Sequence, residues 1–251
     1  MKFHSVASSS KGNAYLIEHK GTALLIDQGL SYREFAKRLA ALDETLEARI
    51  AAILLTHSHT DHIAGLGQFL KHHPEVTIYA NSMTAEAVVA MSTLSWENFI
   101  CFENAQTLEL GPFEILPFSI PHDTSDPVGF LVKSDGQTYF HCTDLGLPLE
   151  SIGMKLAEAD LATLESNHDP GLLRYSGRAP SLIQRIAGPR GHLSNDDAAE
   201  LVENYASPKL KELYLAHLSG DCNAPHLAEG TMRAALKRIH REDIALTILK
   251  P

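Results

Sequence analysis

The chain has 251 residues, with 31 acidic and 21 basic side chains and a formal net charge of −10. This acidic excess argues against broad, nonspecific binding of nucleic acid, although it allows a local basic groove. No run of about 18 apolar residues occurs, which argues against a membrane-spanning helix, and the three cysteines are too few for a disulfide framework. We therefore expect a cytoplasmic protein that forms one domain over residues 1–251.

The first quarter of the chain predicts strands separated by polar turns. These strands are expected at 3–7, 14–18 and 22–26. Ser31 with Glu34 three residues later has the pattern of a capping box and predicts a helix that runs to about Leu42. The apolar run 51–55 predicts a strand buried on both faces, and it ends immediately before a run of histidine and aspartate.

Strands and helices alternate in the rest of the chain. Ser82 with Glu86 predicts the start of one helix, and Ser194 predicts the cap of another that runs to about Tyr205. Further strands are expected at 129–133, 138–142, 161–164, 212–216 and 244–249, and a further helix at 224–241. Two sheets with helices outside them satisfy this order.

Four side chains that bind metals stand within six residues after the apolar run. His57 and His59 alternate along the chain, so both rings can face the same side, and Asp61 and His62 then begin a helix. Three imidazoles and a carboxylate cannot all be buried without a positive partner, which a divalent metal supplies. The mixture of nitrogen and oxygen donors suits zinc, and also manganese or iron. A solvated histidine cluster at a helix start is the alternative.

The pattern resembles the signature of the metallo-β-lactamase superfamily. Four further elements of that signature occur in the family's order, one before this run and three after it. Asp27, in Leu-Ile-Asp-Gln-Gly, is similar to the aspartate that braces the histidine loop. His122, Asp144 and His217 are similar to the remaining ligand positions of the family. The resemblance covers nearly the whole chain and implies an α/β metallo-β-lactamase fold, a four-layer αββα sandwich.

The resemblance also implies a centre with two divalent metal ions, zinc being favoured and manganese the alternative. Its ligands would be His57, His59 and His122 for the first metal, Asp61, His62 and His217 for the second, and Asp144 as the bridge. The two metals would share the attacking hydroxide, so Asp61 also counts as catalytic. His59 stands where the family's flavo-diiron branch has glutamate, which favours hydrolysis over redox chemistry.

Three segments narrow the resemblance to one branch. They are Ser-Lys-Gly-Asn-Ala at 10–14, Leu-Glu-Ser-Asn-His-Asp at 164–169 and Gly-His-Leu-Ser-Asn at 191–195. Together they look like the YycJ-like (WalJ-like) branch, whose characterised members are DNA 5′-exonucleases. The span between Asp144 and His217 is too short for the β-CASP insertion of RNA-processing and interstrand-repair nucleases. The resemblance thus implies a compact phosphodiesterase that acts on DNA.

A glutamate and a histidine in these segments are similar to a pair in the tRNA 3′-processing ribonucleases of the superfamily. Carried over, Glu165 orients His192, and His192 donates a proton to the leaving 3′ oxygen. Two alternatives remain open at this stage. Glu165 could be a strand-end carboxylate that bonds nearby amides, and His192 could be a solvated neighbour of a helix cap.

The stretch between Pro170 and His192 is basic in an otherwise acidic chain. It contains no acidic residue, and its arginines and aromatic residue are Arg174, Tyr175, Arg178, Arg185 and Arg190. Guanidinium groups bind phosphate in a bidentate manner, and an aromatic ring can stack on a base. The candidate substrate-binding residues are therefore Arg174, Arg178 and His168. A solvated loop and helix is the alternative.

Two other functions are compatible with the same metal ligands. A small-molecule hydrolase of the lactonase, thioesterase or cyclic-phosphodiester type would have a closed apolar pocket, and loss of Arg174 or Arg178 would then hardly change its turnover. A binding or signalling protein that merely retains the site would keep its cellular role without metal. The intact ligand set weighs against this second alternative.

Overall fold

The computed structural model describes all 251 residues. The chain forms two compact units, the first made of residues 1–119, 124–128 and Pro251, and the second of residues 120–123 and 129–250. None of the helices combines the length and the apolar character needed to cross a membrane. The single domain expected from the sequence stays a prediction.

The first unit contains a mixed sheet in the order β1-β2-β3-β4-β5-β6. Its strands are β1 (Lys2–Ser9), β2 (Gly12–His19), β3 (Thr22–Ile26), β4 (Ile50–Leu54), β5 (Thr77–Asn81) and β6 (Phe99–Phe102). β1, β2 and β3 pair antiparallel, whereas β3 to β6 run parallel. The helices are α1 (Tyr32–Leu42), α2 (Thr60–Ile63), α3 (Leu66–His72) and α4 (Ser82–Met91). The antiparallel hairpin β7 (Leu108–Leu110) and β8 (Phe113–Ser119) follows.

The second unit contains strands in the order β13-β12-β11-β10-β9. They are β9 (Val128–Ser134, with Val128 counted in the first unit), β10 (Gln137–Cys142), β11 (Leu161–Glu165), β12 (Glu212–Ala216) and β13 (Ala245–Ile248). β9 and β10 are antiparallel, and the others run parallel. The helices are α5 (Glu150–Leu156), α6 (Pro170–Arg174), α7 (Pro180–Ile186), α8 (Asn195–Tyr205) and α9 (Pro225–Arg238).

The predicted strands are confirmed within about two residues at each end, but several details were wrong. Ala51 is exposed, so β4 is not buried on both faces throughout. α4 does begin at Ser82, as predicted, and its cap is Asn81, whose side-chain oxygen accepts the backbone N–H of Thr84 at 2.9 Å. The side chain of Ser31 does cap α1, as predicted, whereas the Glu34 carboxylate completes no capping box and pairs with a neighbouring arginine.

Each unit has its own apolar core. In the first unit, the buried side chains of the sheet pack against α1 and α3, where the rings of Phe35 and Phe69 meet edge to face with centroids 5.6 Å apart. In the second unit, Phe130, Phe140 and Leu215 are fully buried within the sheet. The packed sheets position the strand ends, and the predicted site residues Asp27, Glu165 and His217 lie at those ends.

Candidate metal centre

Asp27 connects the end of β3 to the histidine–aspartate loop of the first unit. It directly follows β3 in a left-handed conformation, with φ 60°, and its side chain is fully buried. Oδ1 accepts the backbone N–H of Thr56 at 2.9 Å, and Oδ2 accepts its hydroxyl at 2.8 Å. Oδ2 also lies 2.7 Å from Nδ1 of His62. Because β3 and β4 are parallel neighbours, their ends meet at one edge, and Asp27 ties the following loop to that edge.

The predicted histidine cluster forms in the loop and in the start of α2. The ring centroid of His57 lies 4.8 Å from that of His59 and 4.1 Å from that of His62. Nδ1 of His57 is 2.9 Å from the hydroxyl of Thr56, a residue to which the sequence analysis assigned no role. The buried rings of His57 and His62 are thus oriented through Nδ1. Such a contact leaves Nε2 as the nitrogen whose lone pair can bind a metal.

Asp61, the carboxylate within this cluster, is held by a residue that sequence reasoning missed. Nδ2 of Asn13 lies 3.2 Å from Oδ2 of Asp61 and 3.1 Å from Nε2 of His62. The segment 10–14 entered the sequence analysis only as a marker of a family branch. The detectable signal was a buried amide placed just before the apolar core of β2.

Gly29 shows how closely the backbone approaches this loop. A Cβ atom there would lie 1.7 Å from the carbonyl oxygen of Asp61 and 2.9 Å from the backbone nitrogen of Asn13, so backbone would have to move. We expect Gly29→Ala to lower stability by roughly 1–3 kcal/mol, as other overpacked sites do, and to weaken zinc binding. Thermal unfolding and zinc titration test this expectation.

Gly230 is the matched control for that substitution. It lies within α9, and a Cβ atom there would meet nothing within 4 Å. Gly230→Ala should therefore stabilise the chain slightly, by about 0.5–1 kcal/mol, since alanine favours a helix. Equal behaviour of the two variants would contradict the close approach at Gly29.

The second unit brings three of the other predicted ligands together. Asp144 follows β10 and His217 follows β12, and both have a φ of 57° in the left-handed region. Oδ1 of Asp144 lies 3.4 Å from Nδ1 of His217 and 3.7 Å from Nε2 of His122. All three side chains are buried. A left-handed aspartate or histidine at a strand end costs some backbone energy, which is typical of functional sites.

Glu165, the last residue of β11, is fully buried and accepts four hydrogen bonds. Its Oε1 accepts from Nδ1 of His192 at 2.9 Å and from Nδ1 of His217 at 2.8 Å. Its Oε2 accepts the backbone N–H groups of Leu145 at 2.7 Å and Leu193 at 3.1 Å. Glu165 thus contacts His192 and also bonds nearby amides, and its predicted role in orienting a proton-donating His192 stays a prediction. The contact with His217 was not predicted.

The electrostatics of this pair follow from its contacts. Burial alone would raise the pKa of Glu165, but His192 and His217 lower it to about 2. Burial alone would lower the pKa of His192, but Glu165 and Asp144 outweigh it, so the pKa is raised. The His192 side chain is 23% exposed, so one edge reaches solvent while the ring is fixed from inside. The pair favours a charged carboxylate beside an imidazole that holds a proton.

The donor set fits a divalent metal. Nδ1 of His122 contacts the carbonyl oxygen of Gly191 at 2.9 Å, as Nδ1 of His62 contacts Asp27 and Nδ1 of His217 contacts Glu165. In each ring an oxygen acceptor fixes the proton on Nδ1 and directs the lone pair of Nε2 away from it. Metal-binding histidines show this arrangement, which sets the tautomer and raises the basicity of the ligand.

Two of the three branch-specific segments, 164–169 and 191–195, meet in a buried amide network of the second unit. The hydroxyl of Ser166 donates to Oδ1 of Asn195 at 2.6 Å, and Nδ2 of Asn195 donates to Oδ1 of Asn223 at 3.0 Å. Nδ2 of Asn167 donates to the carbonyl oxygen of His217 at 2.8 Å. These segments therefore tie the end of β11 to the start of α8 and to the loop of His217. Asn223, a central member, was missed by the sequence analysis.

His168 lies beside this network. It is buried, forms an isolated bridge with Ser194, and its Nδ1 has no hydrogen-bond partner. Burial lowers its pKa, although the negative charge of Glu165 opposes this shift. The direction of this shift favours the neutral ring, and its predicted contact with substrate stays a prediction.

Arg174 and Arg178 lie at the surface of the second unit, and their predicted phosphate binding stays a prediction. Arg174 ends α6 and stacks near Tyr175, with Cζ 5.7 Å from the ring centroid, and Tyr175 is 82% exposed. Nη2 of Arg178 lies 2.9 Å from Oδ2 of Asp221, which is itself largely exposed. A solvated ion pair of this kind is worth little, so it leaves Arg178 able to contact a phosphate.

The other two arginines of the basic stretch contact the loop of a predicted ligand. Nε of Arg185 lies 2.5 Å from Oδ2 of Asp123, and Nε of Arg190 donates to the carbonyl oxygen of His122 at 2.9 Å. The carbonyl oxygen of Gly191 contacts Nδ1 of His122, so residues 190–191 hold both the ring and the backbone of this histidine. These two guanidinium groups thus support the site from within the chain.

A family model described as "Beta-lactamase superfamily domain" matches residues 22–218. The chain belongs to this superfamily. Exodeoxyribonuclease WalJ of Streptococcus pneumoniae is 34% identical over 235 residues, which is 92% of this chain and 86% of the relative. Exodeoxyribonuclease YycJ of Bacillus anthracis is 31% identical over 242 residues, or 94% and 89% of the two chains. The predicted class, a metal-dependent hydrolase, is confirmed by this membership and by these relatives.

Solved structures confirm the predicted metallo-β-lactamase fold. The metallo-beta-lactamase fold protein YhfI from Bacillus subtilis matches with a TM-score of 0.71 at 19% identity, covering 99% of this chain and 95% of that one. Zinc-bound PqqB from Methylobacterium extorquens matches with a TM-score of 0.74 at 15% identity, covering 100% and 98%. At identities of 19% and 15%, these two likenesses show the fold alone.

Proposed function

We propose that this chain is a metal-dependent exonuclease that removes nucleotides from the 5′ end of DNA. One observation carries the proposal. Oε1 of Glu165 accepts hydrogen bonds from two histidines, the proposed metal ligand His217 and the partly exposed His192. A phosphodiesterase needs metals to stabilise charge on the phosphate and an acid to protonate a poor leaving group, and this arrangement joins a proposed metal ligand to a candidate acid. The exodeoxyribonuclease relatives support DNA as the substrate.

Two divalent metals are part of the proposal, zinc being favoured and manganese the alternative. The proposed ligands are His57, His59 and His122 for one metal, Asp61, His62 and His217 for the other, and Asp144 between them. Bound there, the metals supply an activated water and stabilise the charge on the attacking and leaving oxygens. The order of these residues in the chain and the Nδ1 contacts of their rings support the assignment. The proposal places the protein in the cytoplasm.

The chain's own residues then perform the remaining steps. His192 holds a proton on the ring and donates it to the 3′ oxygen of the terminal nucleotide as the bond between that oxygen and the phosphorus breaks. Glu165 keeps that ring in position from the buried side. Arg174 and Arg178, with His168, would bind the phosphates that flank the scissile bond. The products are a mononucleotide and a DNA strand shortened by one residue.

The direct test is hydrolysis of a 5′-labelled DNA oligonucleotide by zinc-loaded and manganese-loaded protein. Early release of labelled mononucleotide is the expected result. Release only of longer labelled fragments would contradict the 5′ polarity. Failure to cleave DNA by a protein that hydrolyses a lactone, a thioester or a cyclic phosphodiester would replace the proposal with the small-molecule alternative.

The acid role of His192 has a separate test. We expect His192→Ala to retain zinc and to slow DNA hydrolysis by roughly 10²-fold or more, as loss of a general acid does. A p-nitrophenyl phosphodiester needs no protonation of its leaving group, so the variant should hydrolyse it at a nearly normal rate. Equal slowing of both substrates would show that His192 does not donate the proton. The exposed His226 provides the control substitution, His226→Ala, which should change neither rate.

A further inference from the structure

The hairpin between β1 and β2 places one fully buried amide beside the histidine–aspartate loop of the same unit. Asn13 is the second residue of β2, and its side chain is completely inaccessible to solvent. The two ends of this amide have different partners, and the division between them separates a structural contact from one directed at the proposed ligands.

The oxygen end serves the hairpin. Oδ1 of Asn13 accepts the backbone N–H of Ser9 at 3.1 Å and lies 2.9 Å from the hydroxyl of Tyr15. One hydrogen on Nδ2 also serves the hairpin, since Nδ2 donates to the carbonyl oxygen of Ser9 at 3.0 Å. All three contacts lie within the hairpin and involve no residue of the histidine–aspartate loop.

The second hydrogen on Nδ2 is directed at two proposed metal ligands. Nδ2 lies 3.2 Å from Oδ2 of Asp61, 3.5 Å from its carbonyl oxygen and 3.1 Å from Nε2 of His62. Since Nδ1 of His62 donates to Asp27, Nε2 of His62 carries the lone pair. The amide therefore lies within reach of both proposed ligand atoms. Because Nε2 of His62 has a single lone pair, which a bound metal would take, the amide hydrogen would then serve Oδ2 of Asp61.

The side chain of Asp61 needs such a support. It is 22% exposed, in contrast to the fully buried ring of His62, so the surrounding core does not fix it by packing alone. Only asparagine meets all these demands in this place. An aspartate would face Asp61 with a second carboxylate, and an alanine would remove the contacts with the backbone of Ser9 and with the carboxylate of Asp61.

We propose that Asn13 is a positioning residue for the second metal, which holds the carboxylate of Asp61 in the orientation that ligation requires. This inference rests on the proposed function only in taking Asp61 and His62 as ligands. It assigns to the Ser-Lys-Gly-Asn segment a role in metal affinity, acting through Asp61.

Zinc binding by purified protein, measured by competition with a chelating dye, tests the role without any nucleic acid. Asn13→Ala and Asn13→Asp should each weaken the second zinc by roughly 10–100-fold, the usual effect of removing a group that orients a ligand, and leave the first zinc unchanged. Asn13→Asp retains Oδ1 for the backbone N–H of Ser9 and the hydroxyl of Tyr15, so it keeps two of the three hairpin contacts if the alanine variant unfolds. Thermal unfolding with a chelator present measures the stability of each variant.

Tyr15→Phe is the matched control, because it removes a hydrogen bond to the same side chain without touching Asp61. Normal zinc affinity in Tyr15→Phe, beside weakened affinity in both Asn13 variants, supports the positioning role. Equal weakening in all three variants would assign Asn13 to hairpin stability, and unchanged affinity in the Asn13 variants would also overturn the inference. A wild-type chain that binds two zinc ions but leaves DNA intact contradicts the proposed substrate alone, whereas one that binds no zinc overturns both proposals.

Discussion

Asp144→Asn is expected to reduce hydrolysis by roughly 10³-fold or more and to lower the zinc content of the protein. Asp144 would help to hold both proposed metals, whose stabilisation of transition-state charge would be worth several kcal/mol, and each 1.4 kcal/mol corresponds to a factor of ten in rate. Asparagine is the informative substitution because Asp144 has a φ of 57°, a conformation that asparagine adopts at lower cost than most residues. The change removes the charge and retains the backbone.

Asp135 provides the control for that experiment. It has a φ of 46° in the turn between β9 and β10, so Asp135→Asn makes the same chemical change in a similar backbone conformation. The control should keep its zinc content and its rate on a DNA oligonucleotide. A near-normal rate in Asp144→Asn would contradict the assignment of Asp144 as a shared ligand.

The metal-binding loop of the first unit could be predicted because its donors are neighbours in sequence. His57, His59, Asp61 and His62 follow a single buried strand, so local geometry alone brings their side chains together. The same holds for the helix caps, since the contacts of Ser194 with Asp197 span only three residues. Such local patterns carry most of their structural information within one turn or one strand end.

Contacts between distant segments could not be predicted in the same way. Asn13 meets Asp61 across 48 positions, and Glu165 meets His217 across 52 positions. Which oxygen meets which ring nitrogen depends on the register of parallel strands. The order β10-β11-β12 places the ends of three strands side by side, and that order is a property of the folded sheet.

Short strands were missed for a different reason. β5 and β6 have five and four residues, and neither alternates clearly enough to be distinguished from a short helical segment. Their pairing with β4 and with each other gives them their conformation. Tertiary pairing thus decides structure in this region, where the local pattern is weak.

Glu165→Gln is expected to weaken zinc binding and to remove the acid function in a single step. The carboxylate accepts four N–H groups, two from imidazole rings and two from the backbone of Leu145 and Leu193. A glutamine has one oxygen and one NH₂ group, so at least one pair of donors would face a donor. If the NH₂ group faces the rings, His192 and His217 must change tautomer, and Nε2 of His217 then carries a proton instead of a lone pair.

The expected result is a loss of DNA hydrolysis by at least about 10²-fold together with a weakening of zinc binding by roughly 10–100-fold. This combination distinguishes Glu165→Gln from His192→Ala, which should lose the rate and keep the metal. Glu158 supplies the control, because its carboxylate is 47% exposed and pairs with Lys133. Glu158→Gln should change neither quantity, since an exposed ion pair contributes little. Normal zinc affinity in Glu165→Gln would show that the contact with His217 does not support ligation, and Glu165 would then act on His192 alone.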